Sequence, residues 1–571
     1  MTRRAKTRHP VRNAIVLLFF LGGIALLAAR AVYLQVFNSD FLQSQGNQRH
    51  SRLVKDNSHR GMILDRHGSP LAVSTPVDSV WAHPPTLAME RRKWPRLAVM
   101  LEMSTRELGQ LVRKYDDREF MYLKRHVPPP QAERVMALRV PGVSLQREYR
   151  RYYPLGSVAG HVIGFTNIDD QGLEGVELAF DATLRAVPGA KRLLRDLQGK
   201  AVEVAESVVL PKPGRDLVLS IDRRIQYLAY RELKAAVSEH GARAGSAIVL
   251  DARTGEVLAL VNEPDFNPNN RTGLRSGMFR NRAVTDSFEP GSTLKPFIIA
   301  CALESGRYSP GSIIDTTPGT LQVGDRLFRD IRNHGVLTVA GIIEKSSNVG
   351  ISKIALTLNK QVIWEMLTHA GFGRATGVRL PGEVTGLLNP HSKWVPVDQA
   401  SISFGYGISV TPLQLARAYL ALANDGVALP LTLQHSETVP EGERIMSANT
   451  ARRVQSMLEL AVGNVGTGRA AQVADYRVAG KTGTVRKLTP EGYSEDKYVA
   501  WFAGVAPATS PRLVMVVTVD EPARGGYYGG EVAAPVFGHV MTGALRLLDI
   551  PPDAPRKETH LMTVKSERVA E

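Results

Sequence analysis

The alternation of apolar and polar positions divides the chain into four stretches. An apolar run begins at Ala14 and continues to Val36, broken only by Arg30 and Gln35 near its far end. As a helix rising ~1.5 Å per residue it would span ~35 Å, enough for the hydrocarbon core of a bilayer. The pattern therefore predicts one transmembrane helix over 14–36. A polar stretch follows, and from about residue 50 to 215 the elements are short, mixed and heavily charged. Within this stretch, residues 60–68 read as a short strand closed by a His67-Gly68 turn, and Glu90-Arg91-Arg92-Lys93 reads as a solvated helix face. Nothing in 50–215 resembles a catalytic constellation, so it reads as a non-catalytic stalk or docking module. Pro211-Lys212-Pro213-Gly214 is a hinge signal at its end.

From 216 the texture becomes that of a packed domain. Residues 217–221 are a strand candidate, and 225–237 carry apolar side chains at helical spacing. Residues 246–250 and 256–260 flank Asp251-Ala252-Arg253-Thr254-Gly255 as a hairpin would, and 501–505 and 513–519 are two further strands. Strands at both ends with helices between them predict one α+β domain over 216–550, its sheet closed by segments distant in sequence. Pro551-Pro552-Asp553-Ala554-Pro555 and the scattered charges after it predict a disordered tail over 551–571.

Composition narrows the classes of function. A chain of 571 residues with 43% hydrophobic and 22% charged positions is globular and long enough for two or three domains. A single cysteine and the lack of an H-E-x-x-H sequence exclude a thiolate zinc site and leave a histidine–carboxylate metal site unsupported. Cys301 sits in the apolar run 297–303, where buried packing is its expected role. The net charge of +16 would suit nucleic acid, but no zinc finger, recognition helix or aromatic-basic motif accompanies it. Part of the excess is Arg3, Arg4, Lys6, Arg8 and Arg12, which precede the apolar run without an acidic residue. By the positive-inside rule 1–13 is a cytoplasmic tail and everything after the helix is exported. Ala29-Arg30-Ala31 resembles a cleavage site, but the run is long for a signal peptide and stays apolar past the cut, so the expectation is an uncleaved anchor.

The chemistry lies in three short motifs in fixed order. They are Ser292-Thr293-Leu294-Lys295, Ser346-Ser347-Asn348 and Lys481-Thr482-Gly483-Thr484. This S-x-x-K, S-x-N and K-T-G set is shared by serine β-lactamases and penicillin-binding proteins. Each motif is cheap alone: Ser494 to Lys497 is a second S-x-x-K, and Ser447 to Asn449 a second S-x-N. Context separates the copies. Ser292 precedes an apolar helix candidate that ends near Leu303, which puts Lys295 on the same face and free N–H groups beside the hydroxyl. Ser494 lies in a polar segment without such a helix, and Ser447 opens the helix candidate 450–462 as a cap. Serine needs a base, and Lys295 can serve if burial and a nearby cation such as Lys481 depress its pKa. Ser346 is read as a proton shuttle to the leaving group and Asn348 as a substrate amide contact, at the start of the helix candidate 349–356. Gly480-Lys481-Thr482 is not a phosphate loop, because Asp475 stands where that motif needs glycine. An extended K-T-G-T on an edge strand would instead let a peptide add as a further strand, with Lys481, Thr482 and Thr484 holding its terminal carboxylate. The N–H groups of Ser292 and Thr484 would complete an oxyanion hole.

At these residues the chain resembles a class B penicillin-binding protein. Phe288-Glu289-Pro290-Gly291-Ser292, Asn267-Pro268-Asn269-Asn270 and Gly405-Tyr406-Gly407 add to the likeness. So do Arg60-Gly61 with Asp65-Arg66, Arg151-Tyr152-Tyr153-Pro154 and Gly172-Leu173-Glu174-Gly175 in the stalk. The likeness runs from the anchor to about Leu548, and no motif departs from the family pattern. It implies a transpeptidase fold over 216–550 on a pedestal, dimerisation-like domain over 50–215. The implied activity is that of a peptidoglycan D,D-transpeptidase. Ser292 would be acylated with Lys295 as its base, and Ser346, Asn348, Lys481, Thr482, Gly483 and Thr484 would complete the site. The implied substrates are stem peptides ending in D-Ala-D-Ala, with β-lactams as inhibitors and no cofactor. A membrane glycan polymerase and other division proteins are implied partners, at the inner membrane with the catalytic domain outside. The Phe-Glu-Pro-Gly-Ser form looks like the division type, with the elongation type as nearest alternative. A D,D-carboxypeptidase, which accepts water instead of an amine, stays open, as does a non-enzymatic β-lactam sensor or scaffold. A β-lactamase would not need the anchor and stalk, and no E-x-x-L-N is present to deacylate it.

Overall fold

A computed structural model describes residues 10–38, 51–195 and 201–554. The expected tails, 1–13 and 551–571, lie mostly outside the described residues. The apolar run forms a helix over Pro10–Val32 that continues as a wider π-type turn over Tyr33–Phe37. The helix already includes Pro10, before the predicted 14, and proline is tolerated there if it lies in a first helical turn. The Pro10–Phe37 stretch is unburied and is long and apolar enough to cross a membrane.

The rest divides into two compact units, each assembled from separate parts of the chain. One takes Pro76–Tyr149 and Ala186–Pro213 together with Met1–His59. It contains an antiparallel sheet of Ser51–Asp56, Gly189–Arg195 and Ala201–Val209 in that order, and a small helical core around Trp94, Leu97, Leu108 and Val112. The charged run expected as a helix face is here a single 3-10 turn, Arg91–Lys93, with the Arg91 guanidinium 5.9 Å from the Trp94 ring centre.

The second unit joins Arg60–Thr75 and Arg150–Arg185 to Gly214–Glu571. Its two early segments are tied together by buried charge. Arg60 bonds Glu177 at 2.6 Å and Asp181 at 2.7 Å, and Arg151 bonds the other oxygen of Glu177 at 2.6 Å. Removing one partner from such a network leaves an uncompensated buried charge, at a cost of ~3–5 kcal/mol.

The main part of this unit comprises α1 (Arg223–Glu239), β1 (Ala244–Asp251), β2 (Val257–Glu263), α2 (Lys295–Glu304), α3 (Val339–Lys345), α4 (Asn348–Thr357), α5 (Pro412–Ala423), α6 (Ala448–Val462), β3 (Ala479–Thr489), β4 (Gly492–Ala506), β5 (Leu513–Asp520) and α7 (Ala534–Leu547). The five strands form one antiparallel sheet in the order β2-β1-β5-β4-β3. Late β5 lies against early β1, with Met515 opposite Val249, so the sheet is closed by segments far apart in sequence. Both faces are covered. Val249, Met515 and Val517 share a core with Leu233 of α1 and Phe537 of α7. Ile248, Leu250, Val514 and Val516 share the opposite core with Phe297 of α2 and Tyr419 of α5. Burial on both sides explains why β5 is almost wholly apolar instead of alternating. The strand expected over 217–221 shrinks to Leu217–Val218, and the helix expected over 225–237 extends to the whole of α1.

Candidate active site

The nucleophile candidate is held by its backbone neighbours. Ser292 lies in a 3-10 turn, Gly291–Leu294, that runs directly into α2, with Pro296 in the first helical turn where it breaks no hydrogen bond. Gly291 has φ of +56°, and a Cβ on it would stand 2.6 Å from Val485 Cγ1, so only glycine fits. Its N–H donates to the Gly405 carbonyl at 3.2 Å. The Tyr419 hydroxyl, buried in the core, donates to the Thr293 carbonyl at 2.9 Å. Beyond the turn α2 is apolar on every side and almost wholly buried, a rod that fixes where Lys295 points.

The S-x-N segment joins two helices. Ser347 caps α4, its hydroxyl accepting from Gly350 N at 2.9 Å, and this is the capping role that serine commonly takes. Ser346 has a different conformation, left-handed with φ 59° and ψ 37° at the end of α3. Such a backbone costs a non-glycine residue ~1–3 kcal/mol and persists only when its surroundings impose it. The residues that follow it are held by Asp330. The Asp330 carboxylate accepts from the Ser347 hydroxyl at 2.5 Å, from Asn348 N at 2.5 Å and from Val349 N at 3.0 Å. A carboxylate at a helix N-terminus is well placed against the free N–H groups there. Asp330 is absent from the sequence reading, since a single aspartate in a polar hairpin carries no signal of its own.

The three motifs meet at one place. Lys295 is fully buried, and its ammonium donates to the Ser346 carbonyl at 2.6 Å, to Asn348 Oδ1 at 2.8 Å and to Ser346 Oγ at 3.3 Å. Ser346 Oγ is 2.9 Å from Ser292 Oγ. Among the described hydrogen bonds, the path from amine to nucleophile therefore runs through the Ser346 hydroxyl. Burial drives the Lys295 pKa well below its usual value, the positive charge of Lys481 adds to the shift, and Asp330 opposes it. The shift favours the neutral amine, the form in which a base must act.

Lys481, Thr482, Gly483 and Thr484 lie on β3, the edge strand of the sheet. A Cβ on Gly483 would stand 2.8 Å from the Pro290 carbonyl, which shows how closely this strand passes the nucleophile turn. Lys481 is fully buried, with only long contacts: the Thr482 carbonyl at 3.3 Å and the Thr467 and Thr482 hydroxyls at 3.4 Å each. No carboxylate pairs with it among the described residues, and burial lowers its pKa to about 7. A buried cation without an anion suits a ligand that supplies one. The Thr467 and Thr482 hydroxyls are 2.8 Å apart, and Thr484 Oγ1 accepts from Gly529 N at 2.9 Å. Thr467 was also missed in the sequence, because it meets Thr482 only through the fold. The rival copies stand elsewhere: Ser447 caps α6 with an acceptor bond from Thr450 N at 3.2 Å, and Ser494 bonds Asp496 at 2.6 Å at an exposed position.

Comparison with known proteins places the chain in a family. A family model described as the penicillin binding protein transpeptidase domain matches residues 245–542. The chain belongs to that family. A second model, the penicillin-binding protein dimerisation domain, matches residues 55–219. The chain is 40% identical over 570 residues to the peptidoglycan D,D-transpeptidase FtsI of Escherichia coli, covering 97% of this chain and 96% of that one. Among solved structures, the transpeptidase domain of Burkholderia pseudomallei penicillin-binding protein 3 is 44% identical with a TM-score of 0.55. It covers 59% of this chain and 98% of its own. Penicillin binding protein 3 from Mycobacterium tuberculosis, solved with aztreonam, is 30% identical with a TM-score of 0.68 and covers 88% of this chain and 99% of its own.

Proposed function

We propose that this chain is a peptidoglycan D,D-transpeptidase in which Ser292 carries the acyl group. The observation that supports it most is the hydrogen-bonded chain from buried Lys295 through Ser346 to Ser292, with Lys481, buried and without a carboxylate partner among the described residues, on the neighbouring strand. The terminal carboxylate of a D-Ala-D-Ala peptide is held by Lys481 and the Thr482 and Thr484 hydroxyls, and Asn348 contacts its amide. Ser292 Oγ attacks the carbonyl of the penultimate D-Ala as its proton passes through the Ser346 hydroxyl to Lys295. The oxyanion rests on the N–H groups of Ser292 and Thr484, each worth about 3 kcal/mol in such sites. The same proton returns to the leaving amine of the last D-Ala. An amine from a neighbouring stem then attacks the ester and frees Ser292. Penicillins acylate the same serine.

Incubation with a pentapeptide donor and an amine acceptor is expected to release D-Ala together with a cross-linked dimer. Release of D-Ala without any dimer would make the protein a carboxypeptidase. The second-order rate constant should fall on the alkaline side, because the depressed lysine loses its charge at about 7 in the free enzyme. A donor amidated at its C-terminus should lack that limb; identical profiles for both donors would remove Lys481 from carboxylate binding.

The anchor and the two family matches support the remaining assignments: a cytoplasmic tail over 1–13, a single inner-membrane span with the N-terminus inside, a pedestal over 50–215 and a transpeptidase domain over 216–550 facing outward. Identity of 40% over nearly the whole of FtsI favours the division role, with a membrane glycan polymerase and division proteins as partners. Depletion in the source cells separates the types: filaments follow from a septal enzyme, rounded cells from an elongation enzyme.

A further inference from the structure

Glu289, three residues before Ser292, has an arrangement that the acyl-transfer chemistry does not use. Its carbonyl accepts from Trp501 Nε1 at 3.1 Å, which fixes its backbone to β4. Its Oε1 accepts from two groups, Gly407 N at 2.8 Å and the Tyr493 hydroxyl at 2.8 Å. Its Oε2 is buried with no partner among the described residues, in a residue only 9% exposed. A half-satisfied buried carboxylate is costly, so the elements that it joins matter.

Those elements are the nucleophile turn, the Gly405-Tyr406-Gly407 loop and the tip of the β3–β4 hairpin. The loop is already fixed on its other side. Gly405 lies so close to the turn that a Cβ on it would stand 2.2 Å from the Gly291 carbonyl. Tyr493, by contrast, is 42% exposed at the hairpin tip. The Tyr406 and Tyr493 rings lie with their centres 5.6 Å apart. Direction along β3 gives this pair a place in the site. Lys481 marks the carboxylate end of a bound donor, and Thr484 passes beside Gly291 of the nucleophile turn. Tyr493 is paired with Leu488, about 13 Å further along the strand at ~3.3 Å per residue. A peptide laid along this edge with its carboxylate at Lys481 therefore carries its residues before D-Ala-D-Ala toward Tyr406 and Tyr493.

We infer that Glu289 is a positioning residue, a latch that holds Tyr493 and the Gly405-Tyr406-Gly407 loop as the wall of the groove for the N-terminal part of the donor stem peptide. This inference rests on the donor orientation proposed above. The latch acts through its two acceptor bonds, so it shapes recognition of the peptide and leaves the attack itself to Ser292, Ser346 and Lys295.

The test is steady-state kinetics of the full-length protein with a D-Ala-D-Ala-terminated stem pentapeptide. Tyr493→Phe removes a single hydroxyl at the surface. It should raise KM about tenfold and move kcat far less, the effect of losing one hydrogen bond to a carboxylate. Glu289→Ala should raise KM at least as much, whereas Glu289→Gln, which keeps an acceptor oxygen, should return it to within about threefold of wild type. If Glu289→Ala fails to fold, Tyr493→Phe and Glu289→Gln still decide the matter. A wild-type KM in Tyr493→Phe would overturn the latch, and so would Glu289→Gln as impaired as Tyr493→Phe. Failure of fluorescent penicillin to label the wild-type protein would instead overturn the proposed function on which the latch rests.

Discussion

Ser292→Ala is expected to show no covalent labelling by fluorescent penicillin, and D-Ala release from a pentapeptide should fall at least ~10⁴-fold. The neighbouring Ser346 hydroxyl is not expected to substitute. Ser346 Oγ, at 2.9 Å, lies between Ser292 and the amine and is oriented by both. Its backbone is fixed in a left-handed conformation at the end of α3. Folding should hardly change, because the Ser292 side chain contributes one hydrogen bond, worth about 1 kcal/mol. Near-ultraviolet circular dichroism and the melting temperature check that half of the expectation. Persistent labelling would place the nucleophile elsewhere.

Lys295→Met is expected to lower the rate of acylation by about 10³-fold while the melting temperature stays within about 4 °C of wild type. Two opposing effects hold the stability steady. Methionine removes an amine whose charged form burial disfavours, and a well-packed apolar replacement for a buried ionisable group is often neutral or stabilising. Against this, the Ser346 carbonyl and Asn348 Oδ1 lose a donor, at about 1–3 kcal/mol. The pH dependence of stability supplies a second readout. The folded-state pKa of Lys295 is depressed, so between that pKa and the usual 10.5 the unfolded chain binds the extra proton and stability rises with pH. Lys481 contributes in the same direction from about 7 upward. Lys295→Met should therefore flatten this alkaline gain without removing it. Acylation at the wild-type rate in Lys295→Met would exclude the lysine as base.

The parts of the site that could be read from sequence are those whose chemistry lies within a few consecutive residues. Ser292 with Lys295 one helical turn later, and K-T-G-T ahead of a strand, show their geometry in their spacing. What escaped the sequence depends on meetings across the fold. Asp330 reaches Ser347 and Asn348 from the end of a hairpin, Thr467 reaches Thr482 from a turn five residues beyond α6, and Glu289 reaches Gly407 and Tyr493 from other parts of the chain. The position of Ser346 is the most instructive case. From sequence it reads as a shuttle to the leaving group, whereas the geometry also puts it between the base and the nucleophile. In the fold, the buried strands were legible and their exposed continuations were not. The strand read over 501–505 is the inner third of β4, whose outer part is polar because it faces water. The charge network of Arg60, Glu177 and Arg151 joins segments about a hundred residues apart, a pairing that local pattern cannot show.

Acylation of Ser292 is the central claim, and peptide mapping by mass spectrometry after exposure to benzylpenicillin tests it most directly. The account predicts one penicilloyl adduct per chain, carried by the peptide that contains Ser292 and absent from Ser292→Ala. An adduct on Ser346, Ser494 or any other residue, or no adduct at all, would contradict it.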